Sequence, residues 1–256
     1  RKWISGFTGS AGTAVITTSE GGLWTDSRYF LQAADQLQGS GLTLFKDRLP
    51  ETPSIAEWLG SVLKAGDKVG IDGWVNSIAE AKQLQNALQP YGLELVTIDD
   101  PFHTLWKDRP SLPLDPPFVL PLEYSGESCD HKIDRIRKSL GKGGTKGLLI
   151  SALDEIAWVL NMRGTDVHCN PVFVSYLLIT STSSTLYIHP DKLTEETRSY
   201  LTEHHIQIKG YSQVEKDLEE YKEENLQLSG STNYALYQAA SRHSQVVLHD
   251  SPVLYM

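Results

Sequence analysis

Proline is concentrated in one short stretch of this chain, RPSLPLDPPFVLP, and that stretch constrains the fold more than any other feature. Five of the twelve prolines fall between Pro110 and Pro121. Because proline fixes φ and has no amide proton, this stretch cannot form a helix interior or a central strand. It is typical of a semi-rigid linker. We therefore predict a first domain over 1–112, a linker over 113–122 and a second domain over 123–256.

Strand-like and helix-like patterns alternate before this linker. Apolar spacing predicts strands at Thr13–Thr18, Leu23–Asp26, Leu42–Phe45, Val69–Asp72 and Leu93–Ile98, and helices at Arg28–Leu37, Pro53–Leu63 and Ile78–Leu88. This alternation is typical of an α/β domain with a parallel or mixed sheet.

The same alternation restarts after the linker. It predicts strands at Gly147–Ser151, Ser175–Thr180, Leu186–His189, Ile206–Ile208, Leu226–Ser229 and Val246–Leu248, and helices at Cys129–Leu140, Leu153–Met162, Thr194–His204, Val214–Tyr221 and Tyr234–Ala240. In this reading, Gly141 ends the first of these helices and Arg163–Gly164 ends the second, with Thr194 as an N-cap. The chain is thus predicted to hold two α/β domains, each with a mixed sheet flanked by helices.

Composition excludes several classes of protein. The formal net charge of −9 over 256 residues argues against a nucleic-acid or anionic-membrane surface. Two cysteines make neither a disulfide framework nor a zinc motif, no apolar run is long enough for a membrane span, and the N-terminus has no signal-peptide pattern. We therefore expect a cytoplasmic protein. The acidic run 215–224 is predicted to be a solvated helix face.

Several patterns that could carry chemistry have simpler explanations. Gly6, Gly9 and Gly12 recur every third residue and precede a strand, unlike a dinucleotide-binding loop. The adjacent residues His168 and Cys169 carry no sign of thiol activation. The histidines are scattered and the acidic pairs have no partner at ligand spacing, so we predict neither a metal site nor a catalytic residue in this chain.

Arg28 is the residue with the clearest functional interpretation. It lies where a predicted strand passes into a helix, and such positions at the rim of an α/β sheet often present groups to ligands. Its guanidinium could hold a peptide carboxylate or carbonyl. The alternative is a surface arginine paired with Asp26. Arg163 has the same two interpretations, with a helix C-cap as the alternative.

Three segments together resemble the long Xaa-Pro aminopeptidases, relatives of prolidase and creatinase. They are WISGFTGSAGTAVI at 3–16, LWTDSRYFLQA at 23–33 and LDEIAWVLNMRGTDVHCNPVFVSY at 153–176, and WKDRP at 106–110 is similar to the family's approach to its linker. The resemblance implies two consecutive creatinase-N-terminal-like domains. It also implies that Arg28 contacts substrate, although Ser27 stands where the family has glycine.

The resemblance further implies what such domains serve. Family members remove the N-terminal residue from peptides with proline in second position, using two divalent ions, usually manganese, in a C-terminal pita-bread domain. We expect that domain, and the first helix and strand of the N-terminal domain, to be missing here, so that the chain alone is inactive. A homodimer is expected in the full-length enzyme. A stand-alone, non-catalytic module that binds peptides or proteins is the alternative.

Overall fold

The computed structural model describes residues 1–222 and 225–256, so the last two residues of the predicted acidic helix face lie outside the described residues. The chain divides into two compact units. The first unit comprises Arg1–Gly70, Gln83–Val96 and Asp100–Asp108, and the second comprises Ile71–Lys82, Thr97–Asp99 and Arg109–Met256. The division at 112 and the linker over 113–122 stay a prediction.

The chain up to residue 108 forms short strands and helices in alternation. The strands are β1 Thr13–Ile16, β2 Gly21–Thr25, β3 Thr43–Lys46, β4 Lys68–Asp72 and β5 Glu94–Ile98, and the helices are α1 Lys2–Ser5, α2 Phe30–Gln36, α3 Ile55–Val62 and α4 Ile78–Leu88. Strand β2 lies between β1 and β3, antiparallel to β1 and parallel to β3. Strands β4 and β5 form a separate pair.

An aromatic cluster forms the main core of the first unit. Trp24 of β2 stacks on Phe45 of β3, with ring centroids 4.0 Å apart, and meets Trp58 of α3 edge-on at 5.3 Å. The Trp24 indole donates a hydrogen bond to the Pro53 carbonyl (2.8 Å). A Cβ at Gly22 would lie 2.4 Å from the Phe45 ring, so glycine is needed there for the aromatic rings to pack.

The second unit is built around a six-stranded mixed sheet. From residue 109 onward, the strands are β6 Phe118–Val119, β7 Gly147–Ile150, β8 Met162–Arg163, β9 Ser175–Thr180, β10 Ser184–Ile188, β11 Ile206–Lys209, β12 Leu226–Leu228 and β13 Val246–Leu248. The helices over the same range are α5 Leu122–Ser125, α6 Cys129–Gly143, α7 Leu153–Val159, α8 Glu195–Glu203, α9 Gln213–Glu219 and α10 Tyr234–Ala240. Strands β6 and β8 form a separate pair outside the six-stranded sheet. The sheet order is β11-β10-β9-β7-β12-β13, with β9 antiparallel to both of its neighbours.

Alternating side chains of this sheet enter two separate cores. Leu148 and Ile150 of β7 pack with helices α6, α7 and α8, whereas Leu149 between them packs with α9 and α10. Successive strand residues point to opposite faces, and here both faces are covered by helices. Covered faces explain why β7, β9 and β10 are buried along their whole length. The predicted α/β class is confirmed.

The predicted ends of two helices were wrong. Helix α6 continues past Leu140 and Gly141 to Gly143, and Gly144 ends it in the left-handed region (φ 71°). Helix α7 ends at Val159, not at Met162, because Asn161 is left-handed (φ 50°) and cannot continue a helix. Met162 and Arg163 instead form β8, which pairs with β6.

A buried lysine holds Asn161 in this conformation. Lys132 of α6 is 2% exposed, and its ammonium donates to the Trp158 carbonyl (2.8 Å) and to Asn161 Oδ1 (2.5 Å). Its Nζ also lies 4.2 Å from the centroid of the Trp158 ring. Burial lowers the pKa of Lys132. The Asn161 amide in turn donates to the Glu127 carbonyl (2.8 Å), so one polar network ends α7 and joins it to α6.

A buried ion pair lies near the proline-rich stretch. The side chains of Lys192 and Asp166 are 1% and 0% exposed and are in direct contact. Asp166 Oδ2 also accepts a hydrogen bond from the Val174 amide (2.6 Å), and Lys192 donates to the Pro113 carbonyl (3.3 Å). The pair therefore joins three segments of the second unit that are distant in sequence.

Breaking this pair from one side should destabilise the protein. Replacing Lys192 by Met leaves the Asp166 carboxylate buried without a cation, which typically costs about 3–5 kcal/mol. We expect urea denaturation to show a loss of that order for K192M. The matched control K216M removes the exposed lysine that lies 3.8 Å from Glu220, and should change the unfolding free energy by less than about 1 kcal/mol. Equal, small effects of the two variants would contradict the buried pairing.

The two cysteines should react very differently with thiol reagents. Cys129 is buried, and burial raises the pKa of its thiol to about 12, whereas Cys169 is exposed. Only thiolates react, so we expect one rapidly titrating thiol per native chain and a second only after denaturation. The Cys169→Ser variant should lose the fast phase. Two fast thiols in the native chain would contradict the burial of Cys129.

Candidate functional site

The candidate site begins where β2 ends. Asp26 follows the last residue of β2 in an extended conformation, and its Oδ1 accepts the Arg28 amide (3.1 Å), which starts a 3₁₀ turn over Ser27–Tyr29. The predicted helix from Arg28 therefore begins with this turn, and α2 follows it. The cap turns the chain sharply enough to bring the Arg28 side chain back onto Asp26.

Arg28 and Asp26 form a bidentate ion pair at the surface. Arg28 Nε donates to Oδ1 (2.9 Å) and Nη2 donates to Oδ2 (2.7 Å). The Arg28 side chain is 65% exposed. The hydrogen bond from Arg28 lowers the pKa of Asp26 from 3.8 to about 2, and the same bond raises the pKa of Arg28. Both groups are thus charged at neutral pH, which suits binding of a polar ligand and not proton transfer.

The glycine-rich loop before β1 packs against this turn. Phe7 of the loop is fully buried and meets the Tyr29 ring edge-on, with centroids 5.9 Å apart. Ser10 Oγ lies 2.5 Å from the Tyr29 hydroxyl, and this hydrogen bond lowers the pKa of Tyr29. A Cβ at Gly9 would lie 2.2 Å from the Phe7 ring. Close packing on Phe7 therefore explains this glycine without any bound phosphate.

A second acidic and basic pair lies beside the first. Asp47 and Arg48 follow β3 as Asp26 and Arg28 follow β2, and Thr25 pairs with Lys46 in the parallel register of the two strands. The two pairs border one open pocket of about 510 Å³, lined by Asp26, Ser27, Arg28, Phe30, Asp47, Arg48 and Leu49. Sequence reasoning missed Asp47 and Arg48, although acidic and basic residues directly after a second strand were a usable signal.

The other residues considered from sequence lie elsewhere. Arg163 donates to the Ala157 carbonyl (2.7 Å) in the last turn of α7 and to the Met162 carbonyl (2.9 Å), so it is the helix C-cap of the alternative interpretation. Burial lowers its pKa. His168 and Cys169 are exposed in the turn before β9. Asp154 and Glu155, one of the acidic pairs in the sequence, lie in the first turn of α7, where negative charge is favourable.

The described residues hold neither a grouped set of metal ligands nor a helix that could span a membrane. Over 1–222 and 225–256, no three or more His, Cys, Asp or Glu side chains are grouped so that they could hold a metal ion. These residues therefore do not fit a dinuclear metal centre. Among the helices of the same ranges, none combines the length and apolar character that crossing a bilayer requires.

Both halves of the chain match known domain families. Residues 1–105 match one family and residues 108–256 match another, and both families are described as the creatinase/prolidase N-terminal domain. The two matches follow one another along nearly the whole chain. They agree with the two domains that the sequence predicted by resemblance.

Xaa-Pro aminopeptidases from other organisms are similar in sequence to most of this chain. A probable Xaa-Pro aminopeptidase P of Pyricularia oryzae is 39% identical over 270 aligned residues, which cover 99% of this chain and 44% of the relative. Aminopeptidase P1 of Arabidopsis thaliana is 37% identical over 85% of this chain and 34% of its own length. The chain thus spans less than half the length of these relatives.

A solved structure shares the fold of this chain over nearly all of this chain's residues. X-prolyl aminopeptidase from Caenorhabditis elegans, described as a cytosolic enzyme with a di-nuclear active site, superposes with a TM-score of 0.89 and 29% identity. The superposition covers 98% of this chain and 42% of that enzyme. The chain belongs to the creatinase/prolidase family, of which it carries two consecutive N-terminal domains of the Xaa-Pro aminopeptidase type.

Proposed function

We propose that this chain forms the non-catalytic domains of a metal-dependent aminopeptidase that removes the N-terminal residue from Xaa-Pro peptides. One observation carries the proposal: a likeness to Xaa-Pro aminopeptidases that covers 98–99% of this chain but only 42–44% of those proteins. In this role the chain shapes the substrate cleft and contributes to the contacts of a cytoplasmic homodimer. Residues 1–112 and 123–256 are the two domains, joined by the linker over 113–122.

In this proposal, the two metal ions are bound by residues outside this chain. Two divalent ions, with manganese expected, would supply a nucleophilic hydroxide and polarise the scissile carbonyl. The described residues offer no group of ligands for them. The residues of this chain contribute by binding and orienting the peptide. Correct positioning alone can account for a large part of a rate enhancement.

Arg28 is the residue that we assign to peptide binding. Arg28 lines an open pocket, and Asp26 fixes the direction of its guanidinium through two hydrogen bonds. A fixed guanidinium loses little conformational entropy when it binds a peptide carbonyl or carboxylate. The Asp26–Arg28 pair is exposed, so it adds little to folding stability, and its geometry is better explained by binding.

A stand-alone module that binds peptides or proteins without catalysis is the second candidate. The lack of a grouped metal-ligand set among the described residues is compatible with both candidates. Sequencing the transcript beyond the codon for Met256 separates the two candidates. A continuation that encodes a metal-binding peptidase domain supports the first candidate, and a stop codon supports the second.

The chain by itself should not hydrolyse Xaa-Pro peptides. We expect no release of the N-terminal residue from Arg-Pro-Pro when the purified chain is assayed with and without Mn²⁺, because its described residues present no group of three or more metal ligands. Mass spectrometry of the products checks this. Turnover that Mn²⁺ restores after treatment with a chelator would show that the chain carries its own metal site, and would refute the proposed division of labour.

Loss of Arg28 should impair the enzyme much more than it impairs folding. In a protein that joins this chain to a metal-binding peptidase domain, R28A should lower kcat/KM by about 1–3 kcal/mol equivalent, the scale of a hydrogen bond to a charged group. Its thermal midpoint should change little. The matched control is R242A, which removes another exposed arginine that is paired with a carboxylate. Equal kinetics for R28A and R242A would remove Arg28 from the substrate site.

A further inference from the structure

Arg48 has an unfavourable backbone conformation for its residue type. Its φ is 67°, in the left-handed region where Cβ crowds the carbonyl and where glycine is favoured. Strained positions of this kind cluster at active sites and ligand-binding turns, where the surrounding structure holds the backbone in place.

The guanidinium of Arg48 is also more available than that of Arg28. Its side chain is 89% exposed, and its nearest carboxylate contact is a 3.7 Å approach of Nε to Asp47 Oδ2, too long for a hydrogen bond. Arg28, in contrast, already donates from Nε and Nη2 to Asp26. Of the two arginines that line the pocket, Arg48 therefore offers the more open fork to an incoming anion.

The rest of the pocket suits a peptide better than a free anion. Phe30 and Leu49 are half-buried and give the pocket an apolar side. Asp26 and Asp47 add two negative charges, so the pocket does not resemble a site for a multiply charged phosphate. A short peptide with one carboxylate and apolar side chains matches this combination of surfaces.

We propose that Arg48 binds a carboxylate of the peptide substrate and makes the cleft prefer peptides that carry one. The inference rests on the proposed function, because it takes the ligand to be a peptide. The carboxylate can be the C-terminus of a short peptide or an acidic side chain beyond the proline. Arg48 is thus a specificity-determining residue, while Arg28 is held by Asp26 in a fixed direction.

The test uses three peptides and the 256-residue chain. The probes are Ala-Pro-Ala-Ala with a free C-terminus, its C-terminal amide, and the amide Ala-Pro-Glu-Ala. Titrations followed by ¹H–¹⁵N NMR give a Kd for each. We expect the amide without Glu to bind about tenfold more weakly than at least one of the two carboxylate peptides, the scale of one charge-assisted hydrogen bond.

Two variants of Arg48 separate its side chain from its backbone. R48Q keeps the left-handed backbone and removes the charge, and R48G also relieves the strain. Both should bind all three peptides equally weakly, while R48G should keep or raise the thermal midpoint by up to about 4 °C. The control R242Q should retain the discrimination. The proposal fails if the wild-type chain does not discriminate, if discrimination survives in both variants, or if R48G is less stable than the wild type.

Hydrolysis is not the readout of these titrations. Failure of carboxylate discrimination would therefore leave the proposed aminopeptidase role intact. Conversely, a failed activity experiment with R28A would leave the binding result for Arg48 interpretable.

Discussion

The parallel pairing of β2 and β3 is the constraint on which the candidate site depends. Parallel strands end at the same edge of a sheet, so the residues that follow them become neighbours although about twenty positions separate them. Asp26 and Arg28 follow one strand, and Asp47 and Arg48 follow the other. The pairing in turn rests on the Trp24 and Phe45 rings, which stack across the two strands and are covered by Trp58. A core interaction thereby positions charged side chains at the surface.

Buried charges have a different role in the second unit. Lys132 and Lys192 are both almost completely buried, and each contacts segments that are distant in sequence. The Lys132 ammonium donates to two neutral oxygens, the Trp158 carbonyl and Asn161 Oδ1, whereas Lys192 contacts the Asp166 carboxylate. Because a buried charge without a partner is costly, each lysine strongly disfavours any arrangement that removes its partners. These residues specify local chain geometry and are not candidates for catalysis.

Periodicity predicted most of the secondary structure because local pattern and tertiary environment agree. Helices α4 and α10 and strand β13 have the predicted bounds, and the long apolar runs of β7 and β9 are buried on both faces. Of the two wrong helix ends, one has a local cause, the left-handed cap at Gly144, and the other follows from a tertiary contact. Glycine at 141 predicted a helix end that the chain reaches three residues later, and Asn161 ends α7 because Lys132 and Glu127 hold its side chain.

The sequence by itself determined the α/β class and the family, and it singled out Arg28 as the candidate binding residue. Apolar spacing and the residues of a motif are local properties, so they can be recognised without the fold. Only the tertiary structure decided that Arg163 caps a helix, that Asp26 holds Arg28 through two hydrogen bonds, and that Arg48 shares their pocket. Strand partners, and the left-handed turn that presents Arg48, depend on contacts between residues far apart in the chain. No local pattern encodes those contacts, so they became visible only in the folded molecule.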